Sequence, residues 1–283
     1  MEVEVLVVPY DAGHEDLRVG RGPARLLEGG LTDLLRGLGH EPVVRWVRAA
    51  QAFRAEIRTT FDLCRGLAGQ VRWATGRGRF PLVLSGNCFA ALGAFSGLGP
   101  SPLGLVWFDA HGEYNTPETT ASGWLDGMGL AAATGDCWRT LTARISGFEP
   151  MPEGRIVLVG GHDFDPEEHS RLIRSRLALV PPGDVATLGP ALDRLGAQVG
   201  RAYIHLDLDV LDPAETRAND LAVPGGMSVQ AVAEAIGLVR HRLEVAGAGI
   251  AGYDPAFDPD GSTLGAARRL VTSLLEGHPF PGS

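Results

Sequence analysis
Short, almost unbroken apolar runs recur along this chain, spaced so that a helix fits between most neighbours. They are Val3–Pro9, Pro81–Ser85, Leu103–Phe108, Ile156–Gly160, Tyr203–Asp209 and Gly249–Tyr253, with Val43–Val47 a weaker member. A strand with one wet face alternates polar and apolar residues. A run that is apolar throughout suits a strand buried on both faces, as in a parallel sheet. The intervening helix candidates are Pro23–Leu38, Ala52–Thr75, Pro166–Arg176, Leu188–Val199, Ser228–Glu244 and Ser262–Glu276. Pro23 suits a first helical position, and Gly39 a stop. This alternation predicts an α/β fold, a three-layer αβα sandwich around a mostly parallel sheet with right-handed crossovers. No repeat, low-complexity tract or linker divides residues 1–283, so a single domain is expected.

Composition narrows the function classes. No stretch of about 18 uncharged apolar residues is present, so no transmembrane helix is expected. Glu2 and Glu4 inside the first apolar run do not suit a signal peptide. Three cysteines, Cys64, Cys88 and Cys137, argue against a disulfide scaffold and for a reducing, cytoplasmic setting. A formal net charge of −9 disfavours nucleic acid or an anionic membrane as partner. The chain contains no lysine, its 25 basic residues all being arginine. That excludes Schiff-base chemistry, a pyridoxal phosphate anchor and a phosphate-loop lysine.

In open parallel sheets ligands bind beyond the carboxyl ends of the strands, and two strand ends are loaded with donors. One reads Asp109-Ala110-His111-Gly112-Glu113-Tyr114-Asn115, the other Asp207-Leu208-Asp209-Val210-Leu211-Asp212-Pro213. In extended chain, residues two apart share a side. Asp109, His111 and Glu113 are therefore expected to converge, as are Asp207 and Asp209. Gathered at one spot, these groups would repel without a cation, and carboxylate oxygens with one imidazole suit manganese. A lone Asp-x-Asp is more often a solvated loop. Two such motifs, each directly after a buried run, favour metal. Single residues elsewhere take blander readings: His14 and His40 as surface residues and Cys64 as core, with His162 a structural residue rather than one of a pocket rim.

These motifs resemble those of the arginase/agmatinase ureohydrolases. Residues 109–115 are similar to that family's Asp-Ala-His-x-Asp-x-Asn signature, and 205–213 with Val223-Pro224-Gly225-Gly226 to its second signature. Ser85-Gly86-Asn87-Cys88 stands in place of its Gly-Gly-Asp-His. Asn115-Thr116-Pro117, Thr119-Thr120 and Ser122-Gly123 resemble the arginase substrate loop, and Asp163-Phe164-Asp165-Pro166 a further stretch. The likeness runs from about residue 4 to residue 270.

The resemblance implies two manganese ions sharing Asp109 and Asp207. One would also take Cys88 and Glu113, the other His111 and Asp209. Water activated on the ions would attack a guanidino carbon. Asn115, Ser122 and Asp165 would hold the α-amino acid end of a small guanidino amino acid. Arginases assemble partly through an extension beyond their last helix. Only Gly277–Ser283 follows the last helix candidate here, so a monomer is expected.

Four positions depart from the arginase pattern. Cys88 replaces a histidine ligand and Glu113 an aspartate. Asp126 stands where arginase has a proton-shuttling histidine, so Glu113 and Asp126 are the candidate catalytic groups. Gly252 replaces the glutamate that pairs with the guanidinium. A thiolate at Cys88 makes the site more electron-rich, and without the acid arginine loses an orienting contact of roughly 1.5–3 kcal/mol. A less basic N-hydroxyguanidine suffers less. This combination resembles the N-omega-hydroxy-L-arginine amidinohydrolase of D-cycloserine biosynthesis, which releases L-ornithine and hydroxyurea. On this reading a glutamate at 252 restores the acid in principle and favours arginine, unless the new side chain crowds the pocket and lowers both rates. The alternatives are an arginase or agmatinase with another guanidino substrate, and a metal-poor binding protein.

Overall fold
The computed structural model describes residues 1–99 and 102–277. Eight strands form its central sheet: β1 Glu2–Val8, β2 Glu41–Trp46, β3 Phe80–Ser85, β4 Leu103–Phe108, β5 Ile156–Val159, β6 Ala178–Val180, β7 Arg201–Asp207 and β8 Glu244–Ala251. Their order across the sheet is β2-β1-β3-β8-β7-β4-β5-β6, every pairing parallel. Tyr10–Asp11 and His14–Glu15 pair separately as a small antiparallel ribbon.

The apolar runs are continuous because both faces of the sheet are covered. Val5, Leu82, Val106 and Ile204 belong to a core completed by Leu31, Leu192, Ile236 and Leu270 from helices on one side. Leu6, Val83, Leu105 and Tyr203 belong to the opposite core, with Leu67, Leu92 and Leu130. The αβα sandwich read from the sequence is the observed one. One charge lies inside it: Glu4 on β1, fully buried, pairs with Arg45 and Arg79, each at 2.8 Å. Such pairing is what makes a buried carboxylate tolerable.

Several boundaries differ from expectation. The helix expected over Pro23–Leu38 is two, Gly22–Glu28 and Leu31–Gly37. Gly29 and Gly30 break it, Gly30 in the left-handed region (φ 81°) that favours glycine. The last helix-to-strand junction comes earlier than expected: the helix ends at Arg242, and β8 begins at Glu244 rather than Gly249. The short edge strand β6 was not anticipated. His40 is buried, its Nε2 3.1 Å from the Leu275 carbonyl, not a surface residue. His14 is exposed and stacks on Phe53. No helix among the described residues is long and apolar enough to cross a membrane. The expectation of a monomer rests on the chain after 276, of which residues 278–283 lie outside the described residues.

Candidate metal centre
Four adjacent strands, β3, β8, β7 and β4, end side by side and deliver Cys88, Gly252, Asp207 and Asp109 to one place. The registers are tight: Ala251 sits opposite Asp207, and Phe108 opposite Leu206. Here the ligand atoms of Cys88, Asp109 and Asp207 lie within 4.8 Å of one another. So do those of Asp109, His111 and Asp209. Asp109 belongs to both groups, which is the arrangement two neighbouring cations need.

Each carboxylate is aimed by a neighbour. Trp107 Nε1 donates to Asp109 Oδ2 at 2.9 Å, and the His111 backbone N–H to Asp109 Oδ1 at 2.8 Å. His111 Nδ1 lies 3.2 Å from Asp109 Oδ1 and 3.4 Å from Asp209 Oδ2. The Asp209 N–H caps Asp207 Oδ1 at 2.8 Å, and Asn219 Nδ2 reaches Asp209 Oδ2 at 3.4 Å. Cys88 Sγ lies 2.7 Å from Asp207 Oδ2 and 3.9 Å from Asp109 Oδ2.

Burial, then mutual repulsion, pushes the carboxyls of Asp109 and Asp207 and the Cys88 thiol above their ordinary pKa ranges. Asp209 is held low despite its burial, because His111 faces it. Buried anions gathered against one imidazole need compensating charge. Carboxylate oxygens, an imidazole nitrogen and a thiolate suit divalent transition-metal ions. The residues therefore fit two cations, one among Cys88, Asp109 and Asp207, the other among Asp109, His111 and Asp209.

Glu113 stands apart from both groups. The extended alternation that would align it with Asp109 and His111 breaks at Glu113 itself, whose φ is 54°. Its side chain still lines the pocket, and its buried Oε2 has no hydrogen-bond partner among the described residues. Burial, then the Asp109 charge, drives its pKa well up. Asp126 is engaged with the turn carrying Cys88: Oδ1 accepts from Phe89 N–H (2.8 Å) and Oδ2 from Asn87 Nδ2 (2.7 Å). Burial raises its pKa to about 7.

The pocket above the ligands has a volume of about 440 Å³ and includes Asn115, Ser122 and Asp165. Asn115 Nδ2 donates to Asp165 Oδ2 at 3.0 Å, and Thr119 Oγ1 to Asn115 Oδ1 at 3.0 Å. Ser122 Oγ receives the Trp124 N–H at 3.2 Å. Gly252 also lines it, in the left-handed region at φ 73°. A β-carbon there would collide with the Asp207 carboxylate. Of the two outcomes expected of a glutamate at 252, a restored acid and a crowded pocket, the geometry favours crowding: the position admits no side chain while Asp207 keeps its place. His162 is not on the rim of this pocket; its ring bridges the Gly160 and Pro224 carbonyls.

Sequence reading gave no role to several pocket residues, among them Asp11, Arg18, Asn87 and Asn219. Arg18 Nε donates to Asp11 Oδ2 at 2.6 Å, and Asn87 Nδ2 to Asp11 Oδ1 at 3.2 Å. Asp11 follows the first apolar run, the position where a site residue was sought after the other runs. Arg18 and Asn219 carry no motif that would have flagged them.

The Arginase family model matches residues 1–276. Arginase from Bacillus caldovelox is 28% identical over 96% of this chain and 97% of its own, and that from Bacillus subtilis is 28% identical over the same shares. A crystal structure of the Bacillus caldovelox enzyme superposes with a TM-score of 0.88 at 25% identity, covering 99% of each chain. The fold extends to the agmatine ureohydrolase of Thermoplasma volcanium, TM-score 0.72 at 18% identity. Fold and site define a hydrolase of the metal-dependent ureohydrolase type. The chain belongs to the arginase family.

Proposed function
We propose that this protein is a binuclear manganese amidinohydrolase that cleaves N-omega-hydroxy-L-arginine to L-ornithine and hydroxyurea. Gly252 carries this reading. It leaves bare the place where the sequence resemblance puts the acid that pairs with a guanidinium, and Asp207 keeps it bare. A hydroxyguanidine, less basic than a guanidine, loses less by that absence. Asn115, Ser122 and Asp165 would receive the amino acid end. Divalent cations held by Cys88, Asp109, His111, Asp207 and Asp209 would acidify water and so supply the attacking hydroxide. Asp126 keeps the Cys88 turn in place through Asn87 and the Phe89 N–H. The sequence resemblance implies a place in D-cycloserine-type biosynthesis, in the cytoplasm.

One observation favours a second reading. The unpartnered, buried Oε2 of Glu113 could take the guanidinium of L-arginine itself, making the protein an arginase with a displaced acid. Measuring kcat/KM of the manganese-loaded protein for both substrates decides between them, since the ratio reports differential transition-state binding. Preference for hydroxyarginine is expected. Preference for arginine would overturn the first reading and support the second.

A further inference from the structure
The two ligand groups differ in chemistry. Asp109, His111 and Asp209 offer oxygen and nitrogen alone, a set that suits manganese. Cys88, Asp109 and Asp207 offer a sulfur with two oxygens. That sulfur is held in place. Its turn is pinned from two sides: Asn87 Nδ2 donates to Asp11 at 3.2 Å and to Asp126 at 2.7 Å, and the Phe89 N–H donates to Asp126 at 2.8 Å. Cys88 is 2% exposed, with Asp207 Oδ2 2.7 Å and Asp109 Oδ2 3.9 Å from its Sγ. An ion entering this group meets the sulfur whatever its preference. Cys88 and Asp207 also line the pocket, so a further coordination position opens toward it. Three protein donors with one open position is the ligand count of a catalytic zinc site.

Cobalt(II) and zinc bind a given site of nitrogen, oxygen and sulfur donors more tightly than manganese does, and a soft thiolate widens that gap. Both groups therefore favour such ions over manganese, the Cys88 group by the larger margin. We propose that the centre is asymmetric: the Cys88 group selects a thiophilic divalent ion of the zinc and cobalt(II) kind, and the His111 group takes manganese. Asp109, common to both groups, would then lie between unlike ions. This rests on the binuclear centre of the proposed function and changes the identity of one of its ions. It does not depend on the substrate.

Cobalt(II) is the probe, because on a thiolate it gives a sulfur-to-cobalt charge-transfer absorption in the near ultraviolet that oxygen and nitrogen ligands do not. Metal-stripped protein equilibrated with excess manganese and about one equivalent of cobalt(II) should hold about one ion of each, with the band fully developed. Cys88→Ser should lose the band. Cys88→His should release half of its cobalt at a manganese concentration at least about tenfold lower than wild type requires, the lower end of what even outer-shell changes do to metal affinity. Cobalt bound without the band, a band that survives Cys88→Ser, or equal displacement from wild type and Cys88→His would overturn the asymmetry. So would two bound manganese ions with the cobalt left in solution. A wild type that holds no metal under these conditions would overturn the binuclear centre itself, and the asymmetry with it.

Discussion

Gly252 and Asp207 face each other across the ends of neighbouring strands, with no room between them for a β-carbon. Any side chain at 252 must displace an aspartate that belongs to the metal-ligand cluster. Gly252→Ala and Gly252→Glu should therefore both lower kcat/KM by about 10²-fold or more, for arginine and hydroxyarginine alike, since a shift near 1 Å can cost that much. They should also lose cations faster on dialysis. A Gly252→Glu enzyme that retained its metal and gained arginine activity would show that Asp207 can yield.

The thiol of Cys88 is the soft donor in a cluster of oxygens and one imidazole. Manganese prefers oxygen and nitrogen ligands, so the cation on the Cys88 side should be the less tightly held. Cys88→His should slow its loss at least about tenfold, the lower end of what even outer-shell changes do to metal affinity. Metal content after timed dialysis measures this. Equal loss from both proteins would mean that the sulfur is not a ligand.

Burial lowers the pKa of His40 below its ordinary value, and its buried Nδ1 has no partner among the described residues. The unfolded chain takes up this proton near pH 6.5, while the folded chain resists it. The linkage therefore favours unfolding as pH falls below about 6.5, down to the folded pKa, and has no effect above. His40→Gln can still donate to the Leu275 carbonyl and does not titrate. Its Tm should fall less than that of wild type between pH 7.5 and 5.5. Parallel curves would assign the acid sensitivity to other groups.

Most of the fold could be read from the sequence because seven of the eight strands are apolar runs with few interruptions. β6 could not: its Ala178-Leu179-Val180 is three residues at a half-covered edge, too short for a pattern. The first half of β8 reads Glu244-Val245-Ala246-Gly247, an exposed charge, one valine and two small residues, too little for a strand signature. In the site, Asp109, His111, Asp207 and Asp209 were legible because each follows a buried run by no more than a few residues. Glu113 was read as aligned with them because the turn that redirects it, a glutamate in a left-handed conformation, leaves no mark in residue type. Gly252 was visible as a missing acid, but the reason it stays glycine lies in Asp207, 45 positions away in the sequence.

The hydrogen bond from Trp107 to Asp109 makes this indole an optical gauge of the site. The ring is fully buried, lies 3.9 Å from the His205 imidazole, and gives its N–H to the carboxylate common to both ligand groups. Charge arriving at Asp109 alters the field across the indole and the strength of that bond, so its emission should shift as cations bind. Titrating metal-stripped protein with manganese should give a fluorescence change that Trp107→Phe abolishes and Trp124→Phe, at the exposed mouth, preserves. Loading of the site could then be followed in real time, with no substrate present.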